Sequence, residues 1–373
     1  RPSLQAPAEV LTARLRRYGQ RERRSAIEAA ARGMTEAVVE AVHKMGTVEP
    51  LSAPEPLAPI CSHGAARVYP AALELDPEAP AVLLVPSLIN RPDILDLTET
   101  RSLLRALGRS GVAAYLLDWG DPGTEERRYD LGLYIEQRLI PVLDSVRAHH
   151  KDRPVALVGH CLGGTLALGA AHLAPERVAS LSLIATPWDF APLGQRAGLT
   201  PPRLELDRLI TSCGAVFGGV PPGVLDALFF LHDPLQAMRK FPGFLEMSPQ
   251  SERAQLFVTV ERWLSTGARL SAPAARDLFI HWMLDNAASQ GAWQIAERPV
   301  RPAEISTPAL VFASRKDTLT PIESAVALVP PAAGALPNAT LVEPRSGHIG
   351  MIVGARAERD LVLPLVKFLK ETS

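Results

Sequence analysis

From about residue 61 onward, short apolar blocks alternate with longer amphipathic ones. "ARVYPAALEL" and "AVLLVP" read as strands and "TRSLLRALGRS" as a helix. "VAAYLLDWG" is the next strand, followed by the helix "LGLYIEQRLIPVLDSVRAHH". "VALVGHC" is a strand running into the helix "GTLALGAAHLA", and "VASLSLIAT" is a strand again. Strands apolar at nearly every position are buried on both faces, and helical crossovers between them let neighbours run parallel. This order predicts an α/β fold, a doubly wound, mostly parallel sheet with helices on both faces.

The alternation stops near Phe190 and resumes after Ile305 with the strands "PALVFASRKD" and "ATLVEPRSGH" and the closing helix "RAERDLVLPLVKFLKE". An insertion of that length is too long for a loop, so a helical cap over the strand ends is expected. At the other end, residues 8–46 predict a helix with Ile27, Met34, Val38, Val42 and Met45 on one apolar face. Its basic stretch "RLRRYGQRERR" leaves two readings: a solvated helix packed on the main domain, or a docking helix for a partner subunit or an anionic surface. "VEPLSAPEPLAPI", with four prolines, is an extended linker. The expected organisation is therefore an N-terminal helical segment and linker over 1–60, a core over 61–190 and 305–373, and a cap over 190–305.

Composition narrows the partners. A net charge of −1 offers no basic field for nucleic acid. Cys61, Cys161 and Cys213 are too few and too scattered for a disulfide framework or a zinc site, which predicts no metal and a reducing, cytoplasmic setting. No apolar run approaches the roughly 20 residues of a transmembrane segment. The chain begins at Arg1 without methionine or an apolar leader, as a trimmed start would leave it. His43, His63, His232 and His281 show no metal-ligand spacing, and the five tryptophans read as fillers of core and cap.

The chemistry concentrates in "GHCLGG". Gly159, Cys161 and Gly163 form a G-x-nucleophile-x-G turn between an apolar strand and a small-residue helix. Such a turn forces its central residue into a strained conformation and exposes the side chain at the sheet edge. The backbone N–H of Leu162, at the helix N-terminus, is placed to stabilise an oxyanion. A thiol nucleophile needs a base and an orienting acid, and in this kind of sheet they follow in the order nucleophile, acid, histidine. Asp317 ends one late strand and His348 closes the segment after the next, so both belong at the same edge. Asp317 would hold one ring nitrogen of His348, leaving the other for Cys161. The competing role for Asp317 is a turn or helix cap, which Thr318 or Thr320 could also fill. A second oxyanion donor is expected in "VPSLINRPDILDL", with Ser87 and Leu88 best placed and Leu88 preferred. Asp118 and Asp189 are candidates to brace the site, or plain turn residues.

Taken together, "LLVPSLINRPDILDL", "YLLDWGDPG", "GHCLGG", "TPWDF", "SRKDTLTP" and "SGHIG" resemble, in order and spacing, the polyhydroxyalkanoate synthases, and most closely the short class III catalytic subunits. The resemblance covers about residues 65–190 and 300–372. It implies an α/β-hydrolase fold, a Cys161–His348–Asp317 triad and transfer of a 3-hydroxyacyl group from coenzyme A through Cys161 to the hydroxyl end of a polyester. It further implies an acyl-CoA substrate with no bound cofactor, a homodimer, and a second synthase subunit or a polyester granule surface as partner. Two other readings stay open. His160 and Leu162 beside the cysteine are similar to a lipase box, which suits a thioesterase or esterase. A non-catalytic, granule-associated or partner-binding module is the third.

Overall fold

A computed structural model describes residues 20–196, 201–232 and 236–372. Its main sheet contains β1 (Cys61–His63), β2 (Ala66–Pro70), β3 (Ala81–Val85), β4 (Ala113–Asp118), β5 (Val155–His160), β6 (Val178–Ile184), β7 (Ala309–Phe312) and β8 (Ala339–Val342). The spatial order is β1-β2-β4-β3-β5-β6-β7-β8. β1 pairs antiparallel with β2 and β2 with β4, while every later pair is parallel. The burial pattern explains this. Every residue of β3 and β5 is buried, as central parallel strands require, whereas β2, second from the edge, alternates between buried and accessible positions.

On one face, Leu83, Val85, Leu157, Leu183 and Val311 pack into a core with Leu139, Val142, Val146, Leu166 and Ala170 from the crossover helices. Burying each leucine or valine contributes about 1.5–3 kcal/mol relative to exposure. The crossover helix over 131–148 is regular except for a widened π turn at Ile135–Leu139. Pro141, at the start of the next stretch, has no N–H for the carbonyl of Gln137, which instead accepts a 2.7 Å bond from the Arg138 guanidinium.

Three local expectations shift. β2 ends at Pro70 rather than running to Leu75, because Pro70 cannot donate onward, and Leu73 beyond it is exposed. The short polar strand β1 carries no apolar signal and was not expected. The predicted helix over 8–46 is observed from Gln20 to Met45, and its residues 8–19 lie outside the described part.

The insertion between β6 and β7 is helical: Arg203–Phe217, Pro222–His232, Gln236–Leu245, Glu252–Ser265 and Ala272–Arg276, the last continuing as a π turn over Asp277–Trp282. The chain's compact units are cut at other positions than 60, 190 and 305. Among the described residues, 52–232 and 260–372 belong to the larger unit, and 20–51 and 236–259 to the smaller. Within the smaller unit, Val38, Ala41, Met45 and Val48 pack on Phe241, Phe244, Phe257 and Val258. The packed face is thus rotated from the one expected, leaving Met34 and Val42 exposed. Lys44 fastens this pair of helices, its Nζ donating to the carbonyls of Phe244, Leu245 and Met247 at 3.2, 2.6 and 2.5 Å.

Candidate active site

β5 ends at His160, and Cys161 follows with φ 54° and ψ −128° before the helix Leu162–Leu173 begins. A non-glycine residue held there stores about 1–3 kcal/mol of strain. It is pinned on both sides: Cys161 N–H donates to Ile184 O at 2.9 Å and its carbonyl accepts from Gly164 N–H at 2.9 Å. The surrounding glycines are dictated by close approach. A Cβ on Gly159 would strike the backbone of Gly164, and one on Gly163 would strike the carbonyls of Val85 and Pro86. The helix N-terminus therefore lies directly against the loop leaving β3. Cys161 itself is partly accessible.

Asp317 and His348, from the loops after β7 and β8, meet at this edge. His348 Nδ1 and Asp317 Oδ2 are 2.7 Å apart, and both residues are buried. The other carboxylate oxygen of Asp317 accepts from the N–H groups of Leu319 (2.9 Å) and Thr320 (2.8 Å). Asp317 thus fills both roles the sequence allowed it, closing its own turn and holding the imidazole. Burial alone would push His348 down. The carboxylate of Asp317, then the charge and hydrogen bond of Cys161, outweigh burial and raise it to about 10. Asp317 and Cys161 thus hold the imidazole toward its protonated form.

The loop after β3 is held in place by tryptophans. Trp119 Nε1 donates to Pro86 O at 3.0 Å and Trp263 Nε1 to Arg91 O at 2.8 Å. These two indoles do more than fill space, which composition gave no means to foresee. Ser87 and Leu88 in this loop are buried, and Leu162 opens the helix after the thiol. Asp118 and Asp189 serve turns: Asp118 accepts from Gly120 N–H at 2.9 Å, and Asp189 from Ala191 N–H at 3.0 Å and the Asn286 amide at 2.7 Å.

One residue at the site was passed over as a mere flank. The His160 ring lies 5.1 Å from that of His348, centroid to centroid, and is tilted 46° from it. It is buried, and neither ring nitrogen has a hydrogen-bond partner among the described residues. Burial, then the charge on His348, push it well below the usual histidine range, so it is a neutral ring backing the candidate base. Among the described residues no group of three or more His, Cys, Asp or Glu could hold a metal ion, and no helix is long and apolar enough to cross a membrane.

A family profile described as the alpha/beta hydrolase fold matches residues 80–355. The poly(3-hydroxyalkanoate) polymerase subunit PhaC of Haloferax mediterranei is 29% identical over 287 residues, covering 75% of this chain and 56% of that protein. The proteins of the same name from a Synechocystis strain and from Thiocystis violacea are 28% and 26% identical, covering 77% and 82% of their own lengths. Among solved structures, epoxide hydrolase A of Mycobacterium thermoresistibile aligns with a TM-score of 0.52 at 17% identity, covering 84% of this chain and 98% of that one, a likeness of fold alone.

Proposed function

We propose, since this chain belongs to the alpha/beta hydrolase fold family, that it is a cysteine-dependent acyltransferase of the polyhydroxyalkanoate synthase type. What carries this reading is a thiol at the elbow where the fold's hydrolytic members place a hydroxyl, beside a histidine held by Asp317 at 2.7 Å. Relatives named poly(3-hydroxyalkanoate) polymerase, aligned over three quarters of the chain, support the same class.

The geometry of Cys161, His348 and Asp317 supports the following steps. His348 takes the thiol proton, and the Cys161 thiolate attacks the carbonyl carbon of a 3-hydroxyacyl-CoA thioester. The tetrahedral oxyanion is met by backbone N–H groups, with Leu162 and Leu88 as the assigned donors. The intermediate collapses, the C–S bond to CoA breaks, and imidazolium returns its proton to the leaving thiolate. The hydroxyl of an acceptor chain then loses its proton to His348 and attacks the Cys161 acyl thioester, and the thiol is regenerated. Asp317 keeps the proton on Nδ1, so that Nε2 is free to work in both halves. No cofactor takes part; acyl-CoA is consumed as substrate.

The test supplies 3-hydroxybutyryl-CoA and follows CoA release together with the product. Insoluble polymer, with loss of CoA release in Cys161→Ala, is the expected result. Soluble 3-hydroxybutyrate without polymer would establish a thioesterase instead, and no CoA release with any acyl chain would point to a binding module. Polymer formed only after addition of a second synthase subunit would place the chain among two-subunit enzymes. The homodimer and the granule surface are read from the same preparation by its mass in solution and by co-sedimentation with polymer.

A further inference from the structure

Away from Cys161 the larger unit carries an open surface pocket of about 490 Å³ whose lining includes Arg127, Thr211, Val216, Phe217, Gly218 and Arg276. Its size lies within the range of small-molecule sites. We infer that this pocket holds the phosphorylated adenosine end of the CoA donor, an inference that rests on the acyltransfer reading above.

The cation comes first. Arg127 is exposed and forms no ion pair among the described residues. Glu125 and Glu126, beside it in sequence, are both taken by Arg138 at 2.7 and 2.6 Å. Its guanidinium lies across Gly218, whose φ is 72°; a Cβ there would fall 2.7 Å from Arg127 Nε, so glycine makes the cradle. Arg276, tied to Asp207 (2.7 Å) and Thr211 (3.0 Å), adds a fixed second guanidinium. Two guanidiniums lining one pocket, Arg127 unpaired among the described residues and Arg276 held by Asp207, suit a phosphate.

The remaining wall suits a purine. Phe217 is 53% exposed and Val216 71%, adjacent apolar side chains that a flat ring could cover. They end the helix Arg203–Phe217, where Gly218 N–H closes on Gly214 O at 3.0 Å. The carbonyls of Ala215, Val216 and Phe217 are left without a backbone donor among the described residues. Helix C-terminal carbonyls reject anions but accept from an amino group, which adenine carries. One wall thus asks for a phosphate and the other for an aromatic amine.

The pocket also connects to the site. Gly163 packs on the carbonyl of Pro86, and three residues further along that loop Ile89 O accepts from Ala268 N–H at 3.0 Å. Two residues on, Leu270 pairs with Val220 through bonds of 2.6 and 3.1 Å, and Gly218 stands two residues before Val220. Arg127 itself lies on the loop leaving β4, which is two strands from β5 in the sheet. The long phosphopantetheine arm of CoA would have to run along this chain of contacts to reach Cys161.

The experiment titrates adenosine 3′,5′-bisphosphate into the full chain by calorimetry and compares KM for 3-hydroxybutyryl-CoA with KM for the same acyl group on N-acetylcysteamine, which lacks the nucleotide. Arg127→Gln is expected to weaken bisphosphate binding about tenfold, the loss of one charge-assisted contact, and to raise the CoA-to-cysteamine KM ratio similarly. Phe217→Ala should do the same for the adenine. Arg128→Gln, an exposed neighbour that does not line the pocket, controls for net charge. No bisphosphate binding, equal effects of Arg127→Gln and Arg128→Gln, or an unmoved KM ratio overturns the inference. Absence of acylation by either thioester instead refutes the acyltransfer reading, a result visible apart from bisphosphate binding.

Discussion

Replacing Asp317 by asparagine separates the acid's electrical role from its structural one. The carboxylate oxygen facing Leu319 and Thr320 accepts two backbone N–H groups, at 2.9 and 2.8 Å. In Asp317→Asn the amide oxygen keeps those bonds, and the turn should survive. The NH2 group must then face His348 Nδ1 across the 2.7 Å contact. A donor there obliges Nδ1 to accept, which moves the imidazole proton to Nε2 and removes the lone pair that the Cys161 thiol needs. Loss of a full charge at this distance also lowers the histidine by about 1–3 units, from a starting value of about 10.

Acylation of Cys161 by 3-hydroxybutyryl-CoA, followed by intact-protein mass, should slow by roughly 10²–10⁴-fold at neutral pH. The pH profile should move too. In the wild type the imidazolium persists to about pH 10, so loss of leaving-group protonation sets in only near there; in the variant it sets in about two units lower. Stability follows the same sign. A histidine raised above its unfolded value of about 6.5 contributes fully below that pH, and its contribution is lost as pH rises through about 10. Wild-type thermal stability should therefore fall between pH 8 and 10.5 more steeply than that of Asp317→Asn. A variant with near wild-type rate and an unmoved alkaline limb would refute this account of Asp317 and His348.

Gly163→Ala forces a methyl into the carbonyls of Val85 and Pro86; about 1–3 kcal/mol of stability should be lost, and acylation should suffer more than melting, since the helix shifts away from the loop after β3. Lys44→Met removes three carbonyl contacts within the smaller unit, and hydrogen exchange over 236–247 should show a local loss of about 1.5–3 kcal/mol. Asp277 is pushed up to about 6 by burial, while its bond from Leu131 N–H and the nearby Arg276 and His281 pull the other way. A carboxyl raised in the fold costs nothing below its unfolded value and a growing amount as pH rises towards 6. Asp277→Asn should therefore melt higher than wild type at pH 7, by up to about 1–3 kcal/mol, with the difference vanishing near pH 4.

The sheet was legible because its strands are buried on both faces. "AVLLVP" and "VALVG" leave no polar position to confuse the reading, and β3 and β5 fall where those runs lie. β1 was illegible for the opposite reason, since "CSH" is a strand only through its pairing with Ala66–Val68. Asp317 and His348 could be placed together because chain order after the elbow restricts which strand ends meet. His160 could not, because its contact with His348 spans the sheet edge and depends on the ring's direction rather than on any spacing. The N-terminal helix shows how far a stripe can mislead: Ala41, small and weakly apolar, faces the phenylalanines while Val42 faces out. Which face packs was decided by the partner's shape.

The elbow poses a thermodynamic choice that the rest of the site then makes usable. A serine attacking a thioester would trade it for an oxygen ester and spend the reactivity of the acyl group in the first half of the reaction. On the proposed reading Cys161 would trade one thioester for another, so the second transfer to a hydroxyl would remain downhill. That retained reactivity is also exposed to water, which can use the same His348 as its base. Acid, base and thiol alone therefore do not set the product; the relative access of water and hydroxyl to the acyl-enzyme does. Asp317 and His348 are buried and Cys161 is only partly accessible, so on the proposed reading the acyl group would form at the edge of a buried pair. An acceptor that fills this edge excludes water as it binds, and in that case the partition between polymer and free acid shifts with acceptor occupancy rather than with the chemistry of the triad.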